Sequence, residues 1–178
     1  SSFDKSGIDI FKDTVDPLLG KAPNKDLVDD IYQYVLSFDK VLGIHDFMLH
    51  DYGPGRQYMT FHAEVDCHEN IMEIHDQIDI IERCLLEKYN ILTTIHMDPI
   101  DTTDALTNEL KQKVNDIVKN INQQYSIHDF RLVRGPTHTN LIFDVLLPAD
   151  DEISHHELKQ RIAEAVQQIN PQYFCVIQ

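Results

Sequence analysis

Basic residues are scarce in this chain: 15 Lys and Arg stand against 30 Asp and Glu, for a formal charge of −15 over 178 residues. Phosphate binding depends on clustered Lys and Arg. Nucleic acid and anionic lipid are therefore poor partners, and cations are the natural counterpart. Long apolar runs are also missing. No stretch approaches the roughly 18 apolar residues of a membrane span, so no span is expected in this chain. The opening SSFDKSGIDIFKDTVDPLLGKAP has scattered charges and lacks the apolar core of a signal peptide. Because it does not begin with Met, the chain reads as a piece of a longer protein. Only three cysteines occur, Cys67, Cys84 and Cys175. They are too few and too scattered for a disulfide framework or a paired-cysteine zinc motif, which fits a reducing compartment.

What is present is a soluble globular composition, 42% apolar and 25% charged, with ten histidines. The length allows one domain or two small ones, and the pattern decides for two. NKDLVDDIYQYVLSF puts Leu27, Val28, Ile31, Val35 and Phe38 on one helical stripe, with Asn24 as its cap. VLGIHDFMLHDY, a Gly53-Pro54-Gly55 turn and QYMTFHAEVD form a hairpin, with Met59, Phe61, Ala63 and Val65 on its buried face. A helix follows, with apolar positions at Ile74, Ile78, Ile81 and Leu85. NILTTIHMD is then a strand ending at Pro99.

The same αββαβ order recurs in the second half: ALTNELKQKVNDIVKNINQQ, the hairpin SIHDFRLVR, GP, THTNLIFDVLLP, then EISHHELKQRIAEAVQQIN and PQYFCVIQ. The predicted fold class is α+β, two tandem units that each have a three-stranded sheet with two helices on one face. The open sheet face calls for cover, by dimerisation or by the other repeat. Matching Gly53-Pro54 with Gly135-Pro136 needs a one-residue deletion before the turn. His45 then matches His128, and His62 falls on Asp144. Matching Ile81 with Ile162 pairs His75 with His156.

Strand alternation sets His62 opposite the core face, and puts His96 and Asp98 together on one face of the third strand. His75 lies in the first turns of the second helix, and His45 starts the first hairpin strand. Imidazoles and a carboxylate spread over one small unit could converge as ligands for zinc or a related divalent metal at about 2.0 to 2.2 Å. Read one at a time, the same residues are ordinary surface or hydrogen-bonded histidines, because the set contains no compact motif such as His-Glu-x-x-His. From the pattern alone both readings stand.

Taken in order, IFKDTVDPLLGKAP, GIHDF, GPG, FHAEVD, the helix bearing IHDQIDIIE, and TTIHMDP resemble the cytoplasmic C-terminal domain of cation diffusion facilitator (cation efflux) transporters. The likeness is close over residues 8–100. It implies a metallochaperone-like, ferredoxin-like αββαβ fold and a homodimer that binds divalent metal at or near its interface. It also implies ligands at His45, His62, His75, His96 and Asp98. By the same resemblance, residues 1–23 follow the last transmembrane helix, 24–100 are the first cytoplasmic domain and 101–178 a diverged second copy. The partner transmembrane domain is absent from this chain, and the location is the cytoplasmic face of the cell membrane. The second copy keeps His128 and His156 and has Asp144 for the hairpin histidine. Its last strand offers only Cys175, Val176 and Gln178 around the His96 and Asp98 positions, so a complete duplicate site is not expected. His50, His68, His138 and His155 match no family position and read as surface residues.

The expected function is regulatory rather than enzymatic: metal tightens the dimer and modulates transport. Zinc suits an imidazole-rich set best, with manganese, iron, cobalt and cadmium as alternatives. Binding should weaken below about pH 6.5, where free histidine protonates. The competing readings are a structural dimerisation module without metal and a metal-dependent hydrolase. Against the hydrolase, there is no nucleophile signature, phosphate loop or basic clamp.

Overall fold

The computed structural model describes residues 24–178; the segment 1–23, expected to follow a membrane helix, lies outside the described residues. Among the described residues the architecture is mixed α+β, with four helices and two three-stranded sheets. The chain divides into two compact units, the first running to Pro99 and the second starting at Ile100.

In the first unit, α1 (Lys25–Leu36) starts where the Asn24 side chain accepts the Asp26 N–H at 2.9 Å. This satisfies a donor that the first turn cannot pair internally. Val28, Ile31 and Val35 are its buried residues. Strands β1 (Gly43–Asp51) and β2 (Gln57–Asp66) pair antiparallel across the glycine turn, where Gly53 and Gly55 both have positive φ. Helix α2 (Ile71–Tyr89) is capped by Asn70 and ends on Asn90 in the left-handed region. Strand β3 (Ile91–Ile100) completes the sheet in the order β1-β2-β3. It runs through Pro99 instead of stopping there. As an edge strand, it can carry a proline without breaking a central ladder. Phe47, Leu49, Met59, Phe61 and Ala63 are buried together with Ile74, Ile78, Ile81 and Leu85, as the period-two and helical stripes predict.

The second unit repeats this order with α3 (Ala105–Ile121), β4 (Ser126–Arg134), β5 (Thr139–Leu146), α4 (His155–Ile169) and β6 (Tyr173–Ile177). Here β4 and β5 are antiparallel, and β6 runs parallel to β5. One core joins Leu110, Val114 and Val118 of α3 with Leu132, Leu141 and Phe143 of the sheet and Leu158, Ile162 and Val166 of α4.

The repeated Ile-His-Asp-Phe has a backbone explanation. In β1 the register runs Ile44 to Ala63 and His45 to His62, then resumes at Met48 to Thr60, so two residues face one. In β4 it runs Ile127 to Val145 and His128 to Asp144, then resumes at Arg131 to Ile142. The extra residue of each bulge is the aspartate: Asp46 has φ 50° and Asp129 φ 55°. Among side-chain residues, Asp and Asn tolerate this region best. The bulge resets the alternation, so Ile44 and Phe47 are both buried although three apart.

Candidate metal centre

The bulge sets His45 across from His62 on β1 and β2, and β3 brings His96 and Asp98 alongside. Asp98 is the hub. Its Oδ2 lies 2.7 Å from His45 Nε2 and 2.9 Å from His62 Nδ1, and its Oδ1 lies 3.3 Å from His96 Nε2. The rings follow suit, with centroids 4.8 Å apart for His45 and His62 and 4.7 Å for His62 and His96. Donor atoms of His45, His62 and Asp98 all fall within 4.8 Å of one another. Asp46, at the bulge, reaches to 3.9 Å from His62 Nε2. The site grades from a closed end at His45, 1% exposed, to an open one at His96, whose side chain is 68% exposed.

A further carboxylate, overlooked in the sequence, completes the closed end. Glu64 is 2% exposed, and its Oε2 lies 3.0 Å from His45 Nδ1. The signal was present in FHAEVD, where Glu64 shares a strand face with His62. An exposed glutamate on a solvated face was the ordinary alternative. His45, Glu64 and Asp98 are three of the five buried polar or charged residues among those described. Buried charge is tolerable only when paired, and here the pairing is mutual. Burial opposes protonation of His45, but hydrogen bonds to Asp98 and Glu64 outweigh it and push its pKa up to about 9. Burial likewise works against the charge on Asp98. The hydrogen bonds from His45 and His62 prevail, and its carboxyl is held well below the usual carboxylate range.

Two neutral or neutralisable imidazoles and an ionised carboxylate within one small space are the donor chemistry that zinc and similar divalent cations take. His96 stands at the open edge as a further donor. His75 is not part of this gathering. It lies on the exposed surface of α2, 3.7 Å from Asp79, with a side chain 58% exposed. A second close group, Asp66, Cys67 and His68, spans the end of β2 and the turn that follows it.

The second unit keeps the backbone and changes the chemistry. His128 pairs with Asp144 in the register position of His45 and His62, but His128 is exposed. The pair facing it like Gly43 and Glu64 is Ser126 and Leu146. His156 is exposed near the start of α4. Matching Asn90 with Asn170, the residues that end α2 and α4, sets Gln178 in the place of Asp98. Gln178 Oε1 accepts from Arg131 Nη2 at 3.1 Å. Among the described residues, no close group of His, Cys, Asp and Glu donors occurs in this unit.

No helix among the described residues is long and apolar enough to cross a membrane. The family model for the cytoplasmic domain of cation efflux proteins matches residues 23–100. An uncharacterized transporter of Methanocaldococcus jannaschii is 33% identical over 99 residues, covering 54% of this chain and 34% of the relative. The cation-efflux pump FieF of Yersinia enterocolitica is 34% identical over 90 residues, covering 49% and 29%. The chain thus spans about a third of the length of these relatives. Among solved structures, the candidate zinc transporter CzrB is 23% identical over 44% of this chain and 98% of that one, with a TM-score of 0.41. Its Zn form is 24% identical over 46% and 93%, also with a TM-score of 0.41. Over residues 23–100, less than half of the chain, the sequence is thus similar to the cytoplasmic domains of cation efflux proteins.

Proposed function

We propose that the first unit is a metal-responsive dimerisation domain of a divalent cation efflux transporter. In this reading His45, His62, His96 and Asp98 hold the cation, zinc before manganese, iron, cobalt or cadmium, and the partners are a second copy of the chain and a transmembrane domain. The observation that carries it is the convergence of three histidines on the buried Asp98 carboxylate. A protein that does not use this site has little reason to keep a buried carboxylate among imidazoles, since an apolar replacement of similar volume is often at least as stable. The cation supplies positive charge that offsets the acidic surface between copies, and it acts as a switch only if the dimer binds it more tightly than the monomer.

His75 lies outside the close donor group and is exposed on α2, so its place in this scheme is as a donor offered to a second copy. Residues 24–100 and 101–178 are read as two ferredoxin-like, metallochaperone-like copies. The second copy, with His128, Asp144 and His156, is assigned to assembly. The protein would act on the cytoplasmic face of the cell membrane.

Zinc calorimetry joined to sedimentation velocity tests the proposal on wild type, Asp98→Asn and His75→Ala. We expect zinc uptake and a shift towards dimer in wild type, and loss of uptake in Asp98→Asn. His75→Ala should keep binding but lose most of the zinc-driven dimerisation. A wild type that takes up no zinc, or an Asp98→Asn variant that binds like it, refutes the assignment. A dimer indifferent to zinc leaves a structural module.

A further inference from the structure

We infer that Glu64 is the residue that positions His45 for the cation, and that residue 43 is glycine because the Glu64 carboxylate fills the space a Cβ would occupy. This rests on the metal reading above and adds a residue outside the ligand set. Glu64 Oε2 lies 3.0 Å from His45 Nδ1, and both side chains are 2% exposed. An ionised carboxylate can only accept, so Nδ1 carries the proton. The ring is then held with Nε2 turned to Asp98, 2.7 Å away. When a cation takes the Nε2 lone pair, Nδ1 keeps its proton and goes on donating it to Glu64. This is the outer carboxylate that metal-bound histidines commonly use to fix tautomer and ring plane.

Gly43 gives the second, independent observation. It is paired with Glu64 across the β1/β2 ladder. A Cβ built on it would stand 2.9 Å from Glu64 Oε1, 3.0 Å from Cδ and 3.1 Å from Oε2. In an open site the flexible end of a glutamate could swing aside. Here the carboxylate is enclosed, and moving it breaks its bond to His45. The second unit shows the two changes together: Ser126 and Leu146 occupy this register pair, and the matching histidine, His128, is exposed. Where the acceptor is absent, the histidine is not drawn into the fold.

The test uses the full chain as described, in wild type, Glu64→Leu, Glu64→Gln and Gly43→Ala forms. Zinc affinity is measured by chelator competition, and the His45 tautomer by long-range ¹H–¹⁵N correlation in the zinc-loaded protein. Circular dichroism and thermal unfolding establish that each variant folds. We expect Glu64→Leu to bind zinc about 10- to 100-fold more weakly and to lose the fixed Nδ1–H signature. Glu64→Gln, whose amide oxygen still accepts that proton, should recover most of the affinity. Gly43→Ala should weaken binding with every ligand and Glu64 itself intact, which keeps the inference testable if Glu64→Leu fails to fold. Wild-type uptake with Glu64→Leu and Gly43→Ala both within twofold of it overturns the role of Glu64 and leaves the metal site standing. No uptake by wild type overturns the metal reading and this inference with it.

Discussion

Zinc affinity should climb with pH well above the range of an ordinary histidine. His45 donates to carboxylates from both ring nitrogens in the metal-free protein, and its pKa of about 9 against the ordinary 6.5 means that a cation must displace a proton from Nε2. Between pH 7.0 and 8.5 the apparent affinity should therefore rise by about tenfold per pH unit, roughly thirtyfold in all. The sequence alone, which treats His45 as unperturbed, predicts little change above about pH 6.5. Chelator competition across this range separates the two. Calorimetry at pH 7.5 in two buffers of different ionisation enthalpy should show release of about one proton per zinc. An affinity that is flat from pH 7.0 to 8.5, with no released proton, would refute the reasoning.

The same shift acts on folding with the opposite sign. A group whose folded pKa is raised stabilises the fold fully below its unfolded pKa, and that stabilisation disappears as pH rises through the folded value. For His45 the window runs from about 6.5 to about 9. The shift corresponds to about 3 kcal/mol. The Asp98 shift reflects the same His45 contact, so the two are not added. Metal-free protein should lose stability to urea between pH 6.5 and 9, while zinc-loaded protein, in which His45 is as neutral as in the unfolded chain, should change little over the same window. At the acid end the depressed Asp98 carboxyl works the other way, stabilising above its unfolded value and failing as pH falls below the carboxylate range.

Other outcomes follow from particular residues. At the bulges, Asp46→Val and Asp129→Val should each cost about 1 to 2 kcal/mol in urea denaturation, because a branched side chain resists positive φ, whereas the glycine variants should change little. Only the Asp46 change should also weaken zinc binding. Phe61, 1% exposed and stacked on Phe47 with ring centroids 6.2 Å apart, lies on the strand that carries His62. Phe61→Ala should cost about 3 to 5 kcal/mol by urea unfolding, and equal midpoints for variant and wild type would contradict that packing. Replacing the Asn70 cap, which accepts from the Met72 and Glu73 N–H groups, with Ala should cost about 1 kcal/mol by the same measurement.

The elements were legible because their signals are local. Period-two alternation in QYMTFHAEVD and the Ile74, Ile78, Ile81, Leu85 stripe matched the observed buried faces. Asn24 stands where a cap was read. The site was only half legible for the same reason. Alternation says which face a residue shares but gives no distance, so it could put His62 with Glu64, and His96 with Asp98, without showing that Asp98 is the hub. The bulge at Asp46 breaks the period on which such reasoning depends. Glu64 was hidden by composition, since most glutamates in so acidic a chain are solvated. His75 was grouped with the other histidines by its place early in the second helix and again by the family resemblance, but a helical position gives no distance to the strands, and a single chain holds it on the outer surface of its helix.

The two hairpins separate what the repeated tetrapeptide does from what metal chemistry needs. Ile-His-Asp-Phe produces the same bulge, register and positive-φ aspartate in both units, yet only one histidine is buried. Its isoleucine, aspartate and phenylalanine therefore specify a strand, and its histidine acquires a role only from the residues across the ladder and on the third strand. In the first unit these are Glu64, His62, His96 and Asp98. In the second they are Leu146, Asp144, Val176 and Gln178, with the guanidinium of Arg131 donating to the last of them. A cation brought by the chain itself on this face removes much of the reason to recruit one from solution. Restoring a site there would require changing Arg131 and Gln178 as well as Asp144, since an imidazole at 144 alone would face a resident positive charge.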